Sequence, residues 1–200
     1  MFSLLGKSVK NRALDYTDLL VKTSFQCAYS YMSGKKDDKK FLEKFVVASQ
    51  EYIWLYLQIT DRFAFAISNK REEFMNDILD YLPQRIIYEC QSFLKNDISY
   101  KFNNDASWRK FYLYSLNKDY NERMQNYSKF KDFLPNEKSQ PLKGTLLWEF
   151  CKTLNISLGR EGPCNNMDFI DCDIDNLMAI DACIAGWKTL DIEKTIQKIK

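Results

Sequence analysis

Residues 41–67, FLEKFVVASQEYIWLYLQITDRFAFAI, constrain this chain more than any other stretch, because nearly every helical face of the run is apolar. A soluble helix of that kind must be enclosed by its neighbours. Wound at about 3.6 residues per turn, Lys40, Lys44, Glu51, Gln58 and Arg62 fall on one narrow line, while Phe45, Val46, Ile53, Leu57, Phe63 and Ile67 spread over the rest. The spacing predicts a core helix with a single wet seam. The chain around it has six glycines and four prolines in 200 residues, punctuation that suits long helices better than a many-stranded sandwich. No Pro/Gly/Ser-rich linker divides it, so a single helical domain over residues 1–200 is expected.

Around that run the periodicity places further helices. Residues from about Lys7 to Met32 carry the stripe Leu14, Val21, Phe25, Ala28 and Met32, and the charged turn 33–40 then leads directly into the central helix. A connector this short implies antiparallel neighbours. The pair Ser68-Asn69 offers a cap, and Asn69 with Glu72 resembles a capping box opening a third helix, whose inward face is Phe74, Ile78, Leu82, Ile86, Cys90 and Phe93. Pro83 lies inside that run and predicts a kink or break near Tyr81-Leu82. A fourth helix is expected from Asn104 or Asp105 to about Phe133, with Leu113, Leu116, Tyr120, Met124, Tyr127 and Phe130 facing inward. After a loop containing Pro135, Pro141 and Gly144, a short fifth helix spans Thr145 to about Leu158 with Leu147, Trp148, Cys151 and Leu154 inward. A last helix starts near Asp171–Asp175 and runs to the end, burying Leu177, Ile180, Ile184, Trp187 and Leu190. The expected fold is therefore all-α: a bundle of about six mostly antiparallel helices around a buried central helix at 41–67.

The chain contains no histidine, which removes Ser-His-Asp and Cys-His nucleophile systems in their usual form and the Glu-x-x-His di-iron sites of helical bundles. An enzyme here would need carboxylates, Lys, Tyr or Cys alone. Cys151, Cys164, Cys172 and Cys183 lie in one C-terminal stretch, but no Cys-x-x-Cys spacing marks a zinc site. The plainer reading puts Cys27, Cys90, Cys151 and Cys183 in helical core positions as small apolar groups, with Cys164 and Cys172 near loops. A reactive Cys164, after Pro163 and near Arg160, would need a lowered thiol pKa. The alternating carboxylates from Asp171 match the first three ligand positions of a calcium loop, and then Asn176 stands where glycine is required and Ala182 where the bidentate Glu is required. Asp168, Asp171, Asp173 and Asp175 read more simply as caps and dipole partners of the last helix. No metal and no cofactor is expected.

Charge is spread unevenly. Residues 161–193 hold eight acids against one base, a local −7, so the remainder carries +9. That asymmetry can pair the acidic end with a basic surface, within the chain or on a second copy. Bases and aromatics interleave from Trp108 to Lys131, but acids are mixed among them and no RRM, KH or zinc-finger signature accompanies them, so nucleic-acid binding is not expected. Gly159-Arg160-Glu161-Gly162 lacks the spacing of a phosphate-binding loop. Glu51, Gln58, Asp61 and Arg62 within the central run make a membrane span costly, and MFSLLGKSVKNR lacks the pattern of a signal peptide, so a cytoplasmic protein is expected. Asn126 and Asn155 sit in Asn-x-Ser sequons that would there meet no glycosyltransferase. Glu51, Asp61 and Arg62 lie close to the polar seam, which predicts exposure; a Glu51 facing Arg85 or Arg123 instead would form a structural ion pair. The leading expectation is a non-enzymatic protein that works through a protein partner or as a homo-oligomer. The alternative is a small apolar ligand between the helices, lined by Trp54, Phe63, Phe65, Trp148 and Trp187.

Overall fold

The computed structural model describes residues 8–33, 41–95, 120–132, 144–159 and 174–199, all helices and turns with no strand among them. Among the described residues the helices are α1 (Val9–Met32), α2 (Phe41–Ile67), α3 (Arg71–Lys95), α4 (described over 120–127), α5 (Leu146–Ser157), α6 (Ile174–Leu190) and α7 (Ile192–Gln197). They pack around one apolar cluster, as the periodicity predicts. Residues 51–60 of α2 are buried without exception. The centre is nevertheless shared: α1 packs extensively on α2, α3 and α6, and Tyr16, Leu20, Val21, Phe25, Ala28, Tyr31 and Met32 are all buried. Leu14 of the expected stripe is only half-buried.

Local chemistry sets most helix ends. Ser8 Oγ accepts from Asn11 N at 3.3 Å to open α1, and Thr145 Oγ1 accepts from Trp148 N at 3.3 Å to open α5, each satisfying one orphan donor of a first turn. Between α2 and α3 the expected capping box does not form on Asn69. Ser68 Oγ takes the backbone N–H of Lys70 at 3.1 Å and donates to Ile199 O at 3.3 Å, fixing the corner to the C-terminal turn. Buried Ser68 outcompetes exposed Asn69 because it alone reaches both partners.

Two expected boundaries move. α3 passes through Pro83 as one helix, without the break near Tyr81-Leu82. Ile78 and Leu82 before the proline and Ile86 and Cys90 after it are all buried, and that packing outweighs one missing backbone bond. The last helix divides where the pattern predicts one: Asp191 adopts φ 43°, ψ 50°, a left-handed conformation that Asp tolerates better than most residues, and α7 starts beyond it. In a continuous helix Leu190 and Ile192 would point to nearly opposite sides; the turn buries both, together with Ile196 and Ile199. α4 ends at residue 127, short of Phe133. The side chains of Lys40, Phe93, Leu113, Leu116 and Leu177 fall outside the described residues, as does the expected start of the fourth helix.

Candidate functional site

The seam of α2 is dry in its middle. Glu51, which meets residues of α4 and α5, is 4% exposed and Gln58 is 7% exposed; Lys44 and Arg62, toward the two ends, are half-buried. Glu51 is one helical turn from Leu55 and faces Arg123 of α4, whose Nε donates to both carboxylate oxygens at 3.0 and 2.9 Å and whose Nη2 donates to Oε1 at 2.7 Å. Ser157 Oγ of α5 donates to the same Oε1 at 2.8 Å and accepts from Arg123 Nη2 at 3.1 Å. Tyr127 Oη donates to Oε2 from 3.4 Å. A buried carboxylate with a forked guanidinium and two hydroxyl donors has its charge matched and its lone pairs used. Exposure of Glu51 is thus overturned, and the conditional pairing with Arg123 is the arrangement found. Beside it, Asn126 Nδ2 donates to Glu149 Oε1 at 2.9 Å, and Lys152 Nζ lies 3.8 Å from Glu149 Oε2. Burial pushes the Tyr127 phenol well above its ordinary pKa, and the Glu51 charge adds to this while Arg123 opposes it. Tyr127 therefore acts as a neutral donor.

A second polar layer joins α1 and α2 to α6, and it carries no charge. Tyr52 Oη donates to Ala179 O at 3.1 Å, Tyr56 Oη to Cys183 O at 2.8 Å, and Cys27 Sγ to Ala182 O at 3.1 Å. Gly186 lets these groups approach: a Cβ there would overlap the Tyr56 hydroxyl and the Cys27 sulfur. Cys27, Cys90, Cys151 and Cys183 are buried and reduced, in the core positions the helical pattern assigns them. Desolvation raises the pKa of Cys27, Cys151 and Cys183 and of Tyr52 and Tyr56, so these thiols are held in the less nucleophilic form. Among the described residues no group of three or more Cys, Asp or Glu could hold a metal ion. Cys164, Cys172, Asp168, Asp171, Asp173 and Asp175, and with them the zinc, calcium and reactive-thiol readings, lie outside what is described, as does the Trp108–Tyr112 run.

At the surface, carboxylate, guanidinium and ring are stacked in two places. Asp61 holds Arg71 through paired bonds, Nε to Oδ1 at 2.8 Å and Nη2 to Oδ2 at 2.9 Å, and the guanidinium carbon lies 5.5 Å from the ring centre of Phe65, which is 76% exposed. Donating to the Asp61 carboxylate raises the Arg71 pKa. On α3, Arg85 Nη2 donates to Glu89 Oε2 at 2.8 Å, and Nε stands 2.6 Å from Asp18 Oδ1 as an ion pair without hydrogen-bond alignment. Its guanidinium lies 4.7 Å from the ring centre of Tyr88, which is 62% exposed. Arg85 thus meets Asp18 and Glu89, not Glu51. Neither ring stands out by hydrophobic periodicity; the (i, i+3) spacing of Arg85 and Tyr88 was the available signal for one of them.

The aromatics that could line an apolar ligand site are mostly used otherwise. Trp54 packs edge-on against Tyr120 with ring centres 5.6 Å apart, and Phe63 against Trp187 at 6.2 Å. Trp148 is buried under Lys152, its indole N–H without a partner. A depression of about 340 Å³ opens on the α1 surface, lined by Arg12, Asp15, Tyr16, Leu19, Thr195 and Lys198, none of them among those rings. Among the described residues no helix is long and apolar enough to cross a membrane. No family model, no curated protein and no solved structure matches this chain.

Proposed function

We propose that this chain is a non-enzymatic cytoplasmic helical bundle that works through protein–protein contact, with a second copy as the first partner to test. The observation that carries this reading is the pair of exposed rings, Phe65 and Tyr88, each seated on an arginine that is itself held by a carboxylate. Aromatic and arginine side chains dominate the energetics of protein interfaces, and a ring already fixed in place loses little rotamer entropy on docking. The interior supports the same reading, since the Glu51 carboxylate is committed to Arg123 and the core thiols are held protonated.

Sedimentation velocity across a wide concentration range tests it. The wild-type chain is expected to associate, and Phe65→Ala with Tyr88→Ala is expected to weaken association about tenfold or more, since truncating a central aromatic typically costs over ~1 kcal/mol of binding. Thermal stability should change little, because surface substitutions generally stay within about 0.5 kcal/mol. A protein that remains monomeric throughout, or an association indifferent to both substitutions, overturns the reading.

A further inference from the structure

α1 leaves a narrow strip in solvent, through Asp15, Leu19, Lys22, Gln26 and Tyr29, each three or four residues from the next. The depression of about 340 Å³ opens on this strip, against Thr195 of α7 and Lys198 just beyond it. Leu19 and the ring of Tyr16 give it an apolar floor, since the Tyr16 hydroxyl is engaged by Thr60 inside the bundle. Its charged residues are Arg12 and Lys198 against Asp15, and Lys22 extends the basic character one turn along α1. Three bases against one acid leave this face at +2. α3, which packs on α1, leaves a strip of the opposite sign. Glu73, Asp80, Gln84 and Tyr88 are exposed and Asp77 half-buried, all on one helical face, with three acids and no base among them. Glu73 is paired with Lys70, whereas Asp77 and Asp80 make no ion pair among the described residues, and neither do Lys22 and Lys198. The two faces are neighbours, because Arg85 beneath the Tyr88 ring pairs with Asp18, the residue before Leu19.

One molecule thus carries, side by side, an exposed ring on an acidic strip and an apolar hollow on a basic one. A two-fold axis between two copies makes such a contact twice, each copy giving the ring once and the hollow once. We propose that this face is self-complementary: Tyr88 of one copy seats in the α1 depression of a second copy, which brings Asp80 of the first toward Lys22 of the second. The volume lies near the lower end of the range of about 300–1,000 Å³ for sites that enclose small molecules, and it suits one aromatic side chain. The spacing agrees. Tyr88 and Asp80 are eight residues apart, about 12 Å along a helix, and Lys22 lies seven residues, about 10 Å, from Asp15 in the depression. Arg12 and Lys198 supply cations for the face of the seated ring. This docking rests on the self-association reading and gives it a surface and a register.

Sedimentation velocity of the full chain and its variants at low salt tests this. The wild-type chain is expected to dimerise. Leu19→Glu sets a charge into the apolar floor and Lys22→Glu sets an acid opposite Asp80, and each is expected to weaken the dimer about tenfold or more. Asp80→Lys should weaken it to a similar degree. The chain carrying both Lys22→Glu and Asp80→Lys should regain most of the lost affinity, since the pair is remade with its signs exchanged. All three positions are exposed, so the variants are expected to fold with little change in thermal stability. A chain that stays monomeric at every concentration overturns the docking together with the self-association it rests on. A dimer indifferent to Leu19→Glu, or one in which the two charge reversals add their losses instead of cancelling, overturns the docking alone and leaves self-association standing.

Discussion

The two polar layers inside the bundle solve the same problem in opposite ways. Around Glu51 an ion pair and two neutral hydroxyls satisfy one another across three helices, side chain to side chain. Beneath α6 they are neutral hydroxyls and a thiol that donate into backbone carbonyls, with Cys27 Sγ also 3.5 Å from Tyr56 Oη. The charged knot needs all its members, since removing one strands an ion in a site that excludes water. The neutral layer tolerates loss of a donor but not added volume, because its acceptors lie on a helix that approaches closely at Gly186.

The sharpest separation of the two comes from breaking the charged pair on one side only. Arg123→Met leaves the Glu51 carboxylate unmatched and is expected to cost about 3–5 kcal/mol in a urea titration followed by tryptophan fluorescence, while Glu51→Leu with Arg123→Met recovers most of that loss. If the double variant is as unstable as the single one, the knot is not held by charge matching.

In the neutral layer the largest effect comes from volume. Gly186→Ala brings a methyl group against Tyr56 and Cys27 and is expected to lose about 1–3 kcal/mol, against a helix-propensity gain of about 1 kcal/mol. Tyr56→Phe, made in the Gly186→Ala background, removes the overlapping oxygen and should restore part of the loss. A Gly186→Ala protein as stable as wild type would mean that α6 shifts freely.

Alkaline titration gives a smaller effect per group and reads the buried thiols and phenols, those of the neutral layer and Tyr127 of the charged one among them. Cys27, Cys151 and Cys183 and the phenols of Tyr52 and Tyr56 have raised folded pKa values because burial disfavours their anions. Their contribution is complete below the unfolded values, about 8.5 for a thiol and about 10 for a phenol. Above those values the unfolded chain loses protons that the folded chain keeps, so stability falls with rising pH, by up to about 1.4 kcal/mol per pH unit for each group, until the folded pKa is reached. Replacing Cys151 by Ala should flatten the slope that begins near pH ~8.5, as measured by thermal denaturation at several pH values. An unchanged slope would count against that thiol as a contributor.

Much of the fold was legible because helical periodicity is a local property. The inward faces of α2, α3 and α5 follow directly from the spacing of Phe, Leu, Ile and Cys, and Thr145 announces the start of α5. The candidate site was legible only in part. Glu51 and Arg123 stand out as ionisable residues, but a carboxylate on a polar line reads as exposed until something covers that line, and what covers it is 72 residues away in the chain. Phe65 misleads in the opposite sense: it reads as a ring for an interior pocket and stands in solvent on Arg71.

By itself the sequence determined the helical class, the buried run of α2 and the core place of the described cysteines, because burial of a periodic apolar stripe dominates the free energy of each segment wherever its neighbours come from. Only the tertiary structure decided that Glu51 is paired and dry, that α3 continues through Pro83 and that the last helix turns at Asp191. Those outcomes depend on which distant surfaces meet. Pairing, backbone strain and desolvation are properties of that meeting, and no local pattern carries them.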